Sequence, residues 1–192
     1  MYLQYFTLVL LLWRIEAGGG PARASKLVHA LSLSETSRGG IDKSYNEEII
    51  GIIEEIGKEE RLRMKPDYVQ SSLNGNWRLI WTTEEEIKFF ACWPFSKSKY
   101  VGQTVDFSTY KIQNTIQFED GGYFNVCGEI QDVGNACETP FTFTTAEIRN
   151  PLFSFTVPPI GSGSFQTLYI NERYRLSKEL TRLDWSILER MD

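Results

Sequence analysis

Leu73-Asn74-Gly75-Asn76-Trp77-Arg78-Leu79-Ile80-Trp81-Thr82-Thr83 is the stretch at which the hydrophobic period of the chain changes. Trp77, Leu79 and Trp81 fall on one side of an alternation whose other side is Asn76, Arg78 and Ile80. A period of two marks a strand, because successive side chains point to opposite faces of a pleated backbone.

The same period recurs downstream. Ile112, Asn114, Ile116 and Phe118 line one face of a second run. Glu119-Asp120-Gly121-Gly122 is a turn signal, and Tyr123 to Ile130 resumes the alternation, which predicts a hairpin. Phe141-Thr142-Phe143-Thr144 alternates again. Asn150-Pro151 breaks the chain before Phe153-Ser154-Phe155-Thr156-Val157, and Pro158 to Gly163 reads as an irregular loop. Phe165 to Ile170, Tyr174 to Lys178 and Leu183 to Leu188 complete the set. Short strands joined by turns, with no intervening helices, predict a mainly β, antiparallel sandwich or barrel. Short consecutive connections favour up-and-down order. Closing the sheet removes exposed edges and creates an interior that, at about eight strands, holds one small ligand or is filled by its own side chains.

Upstream, residues 46–63 follow a helical period. Ile49, Ile50, Ile52, Ile53 and Ile56 recur at three- and four-residue steps between glutamates. Ser44 or Asn46 suits the start, Glu47 and Glu48 suit the positive helix end, and Lys58, Arg61 and Arg63 suit the other. The isoleucine stripe has to bury itself against the domain that follows. Residues 1–45 are expected to be a targeting or linker region without regular structure, followed by one domain, helix plus barrel, over 46–192. Phe6 to Trp13 is too short for a bilayer span of roughly 20 apolar residues and suits a secretory-type signal. A hydrophobic strand packed on the domain or a truncated start would read the same way.

The 192 residues carry a net charge of −5, with one histidine and three cysteines. A net acidic chain lacks the excess of Lys and Arg that neutralises phosphates, so no nucleic-acid partner is expected. His29, Cys92, Cys127 and Cys137 make no zinc-site spacing, and no metal or cofactor is implied. A Cys127–Cys137 disulfide requires the two to lie on paired strands. Ser162 sits in no nucleophile elbow and no histidine follows it. Asp106, Glu129, Glu147 and Asp184 fall in the strand region, but nothing in their spacing selects a catalytic pair.

Several pieces, in order, resemble the plastid lipid-associated proteins, or fibrillins, over residues 46–190. Leu73 to Thr83 resembles the family's opening strand, Leu-x-Gly-x-Trp-x-Leu followed by an apolar residue, an aromatic and Thr-Thr. Gln103-Thr104-Val105-Asp106 resembles its Gln-x-Ile-Asp run, and Asn114 to Phe118 its Asn-x-apolar-x-Phe strand. Pro159 to Ile170 resembles the loop leading into Thr-apolar-Tyr-Leu-Asp. Arg175 stands at the Arg of Leu-Arg, and Leu188-Glu189-Arg190 resembles the terminal apolar-acid-Arg. Asn171, Ser164-Phe165 and Arg182-Leu183-Asp184 depart from the family pattern.

The resemblance implies a lipocalin-like barrel with an N-terminal amphipathic helix, in a non-enzymatic protein that binds or coats lipids on plastoglobules or thylakoids of the chloroplast. It implies a hydrophobic ligand (isoprenoid, quinone, carotenoid or fatty acid) and a peripheral membrane or lipid surface. Gly75-x-Trp77 is also the first-strand signature of lipocalins, in which an Arg of the last strand covers the Trp ring; Arg190 is the candidate here. Trp77, Leu79, Trp81, Phe118, Phe143, Phe155 and Tyr169 are the candidate lining residues, as packing or as ligand contacts. Phe89, Phe90, Trp93 and Phe95 form an aromatic loop flanked by Lys97 and Lys99. Such a loop suits either a lipid headgroup interface or a lid packed inward. The alternative function is a scaffold supporting a plastid isoprenoid-quinone enzyme through a protein partner, with the isoleucine helix as the contact. An enzyme on the same barrel would need a buried ionisable group at the cavity floor, with Glu129 and Asp106 as the nominees.

Overall fold

The computed structural model describes residues 21–91, 96–151, 153–158 and 161–191. Among the described residues, three helices precede the first strand: α1 (Pro21–Thr36), α2 (Asn46–Glu60) and α3 (Pro66–Leu73), with a 3-10 turn over Lys43–Tyr45. The strands are β1 (Gly75–Thr82), β2 (Ser98–Asp106), β3 (Lys111–Phe118), β4 (Tyr123–Ile130), β5 (Glu138–Arg149), β6 (Ser154–Val157), β7 (Gly161–Ile170), β8 (Tyr174–Glu179) and β9 (Trp185–Arg190). A fourth helix, α4 (Glu85–Ala91), lies between β1 and β2.

The wall of the barrel is antiparallel throughout. β1 to β5 pair in sequence, β5 pairs with β7, β7 with β8, β8 with β9, and β9 returns to β1. Eight strands therefore close on themselves. β6 stands outside the circuit, paired only with the far half of β5 from Ala146↔Val157 to Arg149↔Ser154. The structure is thus mainly β, as the alternation predicts, and of the two architectures left open it is the up-and-down barrel, with the amphipathic helix expected from the isoleucine period.

Two apolar cores lie on the two sides of this wall. Inside, Trp77, Val105, Ile112, Ile130, Phe165, Ile170 and Leu188 pack with Val69 and Leu73, so that α3 plugs one end of the barrel. Outside, Leu27 and Ala30 of α1 and Ile49, Ile53 and Ile56 of α2 cover Trp81, Tyr169, Tyr174, Leu176, Trp185 and Ile187. The isoleucine stripe is buried there, and Gly57 lets α2 approach closely: a Cβ at Gly57 would stand 3.2 Å from the Leu168 side chain.

Several expectations need correction. The region before residue 46 is not structureless throughout, because residues 21–36 form α1. Its packed face is built from Ala24, Leu27, Ala30 and Ser34, whose small side chains allow close helix packing but give a faint hydrophobic period. Arg23 on α1 reaches Glu60 on α2 at 2.7 Å, both side chains buried. The helix predicted over 46–63 ends at Glu60 and has Tyr45, with no side-chain cap, at its start; Asp42 instead accepts from the Ser44 amide. Pro66 opens α3, since a ring without an N–H costs nothing in a first helical turn. Residues 161–163 are strand rather than loop, and Phe89 and Phe90 continue α4 rather than a loop. Cys127 and Cys137 are both free thiols, which removes the disulfide: Cys127 lies within β4 and Cys137 in the turn before β5.

Candidate ligand-binding cavity

The floor is set by Gly75-x-Trp77. Trp77 is fully buried and its indole N–H donates to the Leu73 carbonyl at 2.8 Å, joining the first strand to the end of α3. The Arg190 guanidinium stands 4.3 Å from the centre of the Trp77 ring. Arg190 also donates to the carbonyls of Asn74, at 2.6 Å, and of Ser72. These are carbonyls at the end of a helix, where a cation is favoured. Gly75 has φ +128°, and a Cβ there would meet the Arg190 guanidinium at 2.6 Å. The glycine of the motif therefore makes room for the cation that covers its tryptophan.

Above this floor the barrel encloses a cavity of about 530 Å³, lined by residues from all eight wall strands and open at the end away from α3. That volume lies within the range of small-molecule sites. Leu79, Val101, Ile116, Val126, Phe141 and Phe143 form much of the apolar wall. The Phe141 and Phe143 rings lie 4.9 Å apart, and Phe141 stands 6.2 Å from Phe165. Ile87 of α4 lines the mouth together with Glu84, Glu86, Glu179, Arg182 and Asp184.

The seven candidate lining residues divide. Leu79 and Phe143 face the cavity, and Trp77 forms the floor core beneath it. Trp81 and Tyr169 do not reach it. A bulge between Leu79 and Trp81 breaks the alternation in β1, and another between Thr167 and Tyr169 breaks it in β7, so both rings turn to the helix-covered outside. Phe118 is half-buried and lines an outer groove with Tyr100, Gln117 and Tyr123 instead. Phe155 is on β6, outside the circuit, 48% exposed and stacked on Phe153 at 5.6 Å. Phe89 on α4 is 59% exposed, and Trp93 and Phe95 lie outside the described residues.

The nominated carboxylates sit elsewhere. Glu129 pairs with Lys111 at 2.8 Å on the exposed surface, and Asp106 accepts from the Ser108 and Thr109 hydroxyls in a turn. Both are held below the usual carboxylate range by those partners. Glu147 accepts from the Tyr123 hydroxyl at 3.0 Å. Asp184 is at the mouth, bonded by the Thr83 hydroxyl at 2.8 Å. The perturbed acid is Glu84, which burial and then the neighbouring Asp184 and Glu86 carboxylates push up to about 7.

One cation in the cavity has no counterpart in the alternation. Arg175 is 2% exposed and points into the barrel, while its neighbours Tyr174 and Leu176 point out to the helices. Its Nη2 donates to Gln103 Oε1 at 2.6 Å, and Gln103 in turn donates to Asn114 Oδ1 at 2.9 Å. The Trp77 and Phe165 rings stand 5.1 and 5.3 Å from it. Its Nε and Nη1 have no hydrogen-bond partner among the described residues. Burial, then the Arg190 charge, lower it to about 9, which leaves it charged at neutral pH. In the sequence, only the position of Arg175 in the Leu-Arg pattern set it apart.

A closed antiparallel barrel with one plugged end, one open end and room inside for a small ligand is a lipocalin-like barrel. The chain belongs to the PAP_fibrillin family, whose model matches residues 24–152. That match begins within α1, upstream of the boundary expected at residue 46. Over 180 residues the chain is 29% identical to "Probable plastid-lipid-associated protein 11, chloroplastic" of Arabidopsis thaliana, covering 88% of this chain and 81% of that one. No solved structure matches the chain significantly.

Proposed function

We propose that this protein is a non-enzymatic lipid-binding protein of the plastid, acting at thylakoid or plastoglobule surfaces, whose barrel holds one hydrophobic small molecule such as an isoprenoid, quinone, carotenoid or fatty acid. The observation that carries this reading is the continuous, largely apolar cavity of about 530 Å³. Leu79 and Phe143 are its ligand contacts, and Trp77 with Arg190 closes it. The plastid location is supported by family membership and by the chloroplastic relative.

The peripheral-surface role rests on the rim. Phe89, Phe153 and Phe155 are exposed by 59, 50 and 48%. α4 borders the mouth, and the β5–β6 turn lies at the same end of the barrel, beside the start of β4. Aromatic rings placed around the opening would sit at headgroup level while a ligand exchanges with the lipid phase. Phe90, Trp93 and Phe95 extend that proposal along the chain. The scaffold alternative loses its nominated contact, because Ile49, Ile53 and Ile56 are buried between α1 and the barrel.

The test is native purification of the full chain, solvent extraction and mass spectrometry, followed by titration of the delipidated protein while tryptophan fluorescence is read. About one hydrophobic molecule per chain and a saturable response are expected. No extracted lipid and no saturable response to any of the four ligand classes would remove the carrier reading.

A further inference from the structure

We infer that the ligand lies with its head inward and that this head is an anion, a carboxylate on a hydrocarbon chain, received by Arg175 with Gln103 and Asn114 beside it. This rests on the carrier reading above and narrows it. A carotenoid has no such head, and a quinone offers only neutral carbonyls.

Three observations lead to this class. First, the guanidinium is buried without a counter-charge: no carboxylate lies within ion-pair distance of it among the described residues, and the charge that acts on it is the like charge of Arg190. Burying an unpaired charge is costly, and such groups are normally matched by a partner. Second, the group is held in place and still has donors to offer. Gln103 takes one N–H, two aromatic rings flank the guanidinium, and Nε and Nη1 are left without acceptors. Planar guanidinium donors of this kind match the two oxygens of a carboxylate.

Third, the charge is arranged along the axis of the cavity. The mouth carries Glu84, Glu86, Glu179 and Asp184 against Arg182, whereas Arg175 is the cation within the wall. A carboxylate is repelled at the mouth and matched at Arg175. Leu79, Val101, Ile116 and Phe143 line the same cavity and suit a hydrocarbon tail running back to the opening. The aromatic rim then meets the end of the tail rather than the head.

The experiment compares oleate with methyl oleate on the delipidated full chain at neutral pH, read by tryptophan fluorescence, and repeats it on Arg175→Met and Arg175→Lys. The ester keeps the tail and the carbonyl and loses only the charge. The native chain is expected to bind oleate about 10- to 100-fold more tightly than the ester, the size of a charge-assisted hydrogen bond in a dry site. Arg175→Met is expected to abolish that preference and Arg175→Lys to keep part of it. Equal binding of acid and ester by the native chain overturns the anionic head and leaves the carrier reading in place. A native preference that survives Arg175→Met overturns the assignment to Arg175. No saturable response to either ligand overturns both readings. Should Arg175→Met fail to fold, the comparison on the native chain and on Arg175→Lys still decides.

Discussion

Three side chains carry the chemistry of this barrel: Trp77, Arg190 and Arg175. The first two are legible in the sequence, because Gly75-x-Trp77 and the terminal Arg190 are motif positions and their task is structural. Arg190 ties the last strand to the end of α3 and covers the tryptophan ring. Arg190→Met should therefore lower stability by about 1–3 kcal/mol, the range for losing hydrogen bonds to a charged group, read as a reduced urea midpoint at unchanged slope. Glu84 gives a pH signature. Its carboxyl is raised from 4.5 to about 7 in the folded chain, so between those values the folded state binds the extra proton. Stability from this group is complete below pH about 4.5 and is lost as pH rises towards about 7. Glu84→Gln should equal the native chain in acid and exceed it above neutral pH, by at most about 3 kcal/mol. Urea midpoints followed across that window would show it, and parallel profiles for the two proteins would contradict it.

At the scale of elements, the isoleucine helix and most strands follow from period alone, since apolar residues at the right spacing can be buried in only one way. The failures have equally local causes. α1 escaped because its contact face is Ala, Ser and Leu, and β1 and β7 each lose their alternation at a bulge, which sends Trp81 and Tyr169 outward. Phe155 reads as a core strand residue, yet β6 pairs on one edge only and leaves it exposed. Two substitutions test these assignments. Ile53→Ala should cost roughly 2–5 kcal/mol, the penalty of a fully buried site, although its apolar cluster shares no residue with the cavity lining. The pair Phe153→Ser and Phe155→Ser should leave thermal stability within about 0.5 kcal/mol, as expected of surface positions. It should also reduce co-sedimentation with anionic lipid vesicles. Undiminished vesicle binding would remove β6 from the lipid-facing rim.

The whole molecule is a barrel with a core on each side of its wall. Removing residues 1–45 strips α1 from Trp81, Tyr174 and Ile187. A chain starting at residue 46 should unfold at a lower urea midpoint and self-associate, because a large apolar face becomes exposed; a truncated protein as stable and monomeric as the full chain would restore residue 46 as the boundary. By itself the sequence determined the β class, the antiparallel up-and-down order and the amphipathic helix. These depend on spacing along the chain, and local spacing is what a sequence records. Only the tertiary structure decided which face of each strand looks inward. The helices cover one side of the wall, so apolar residues occur on both faces of β1, β7 and β9, on β8 the apolar face is the outer one, and alternation no longer distinguishes inside from outside. That ambiguity hid Arg175, a charge on a strand flanked by Tyr174 and Leu176, until the closed barrel placed it inside with donors to spare.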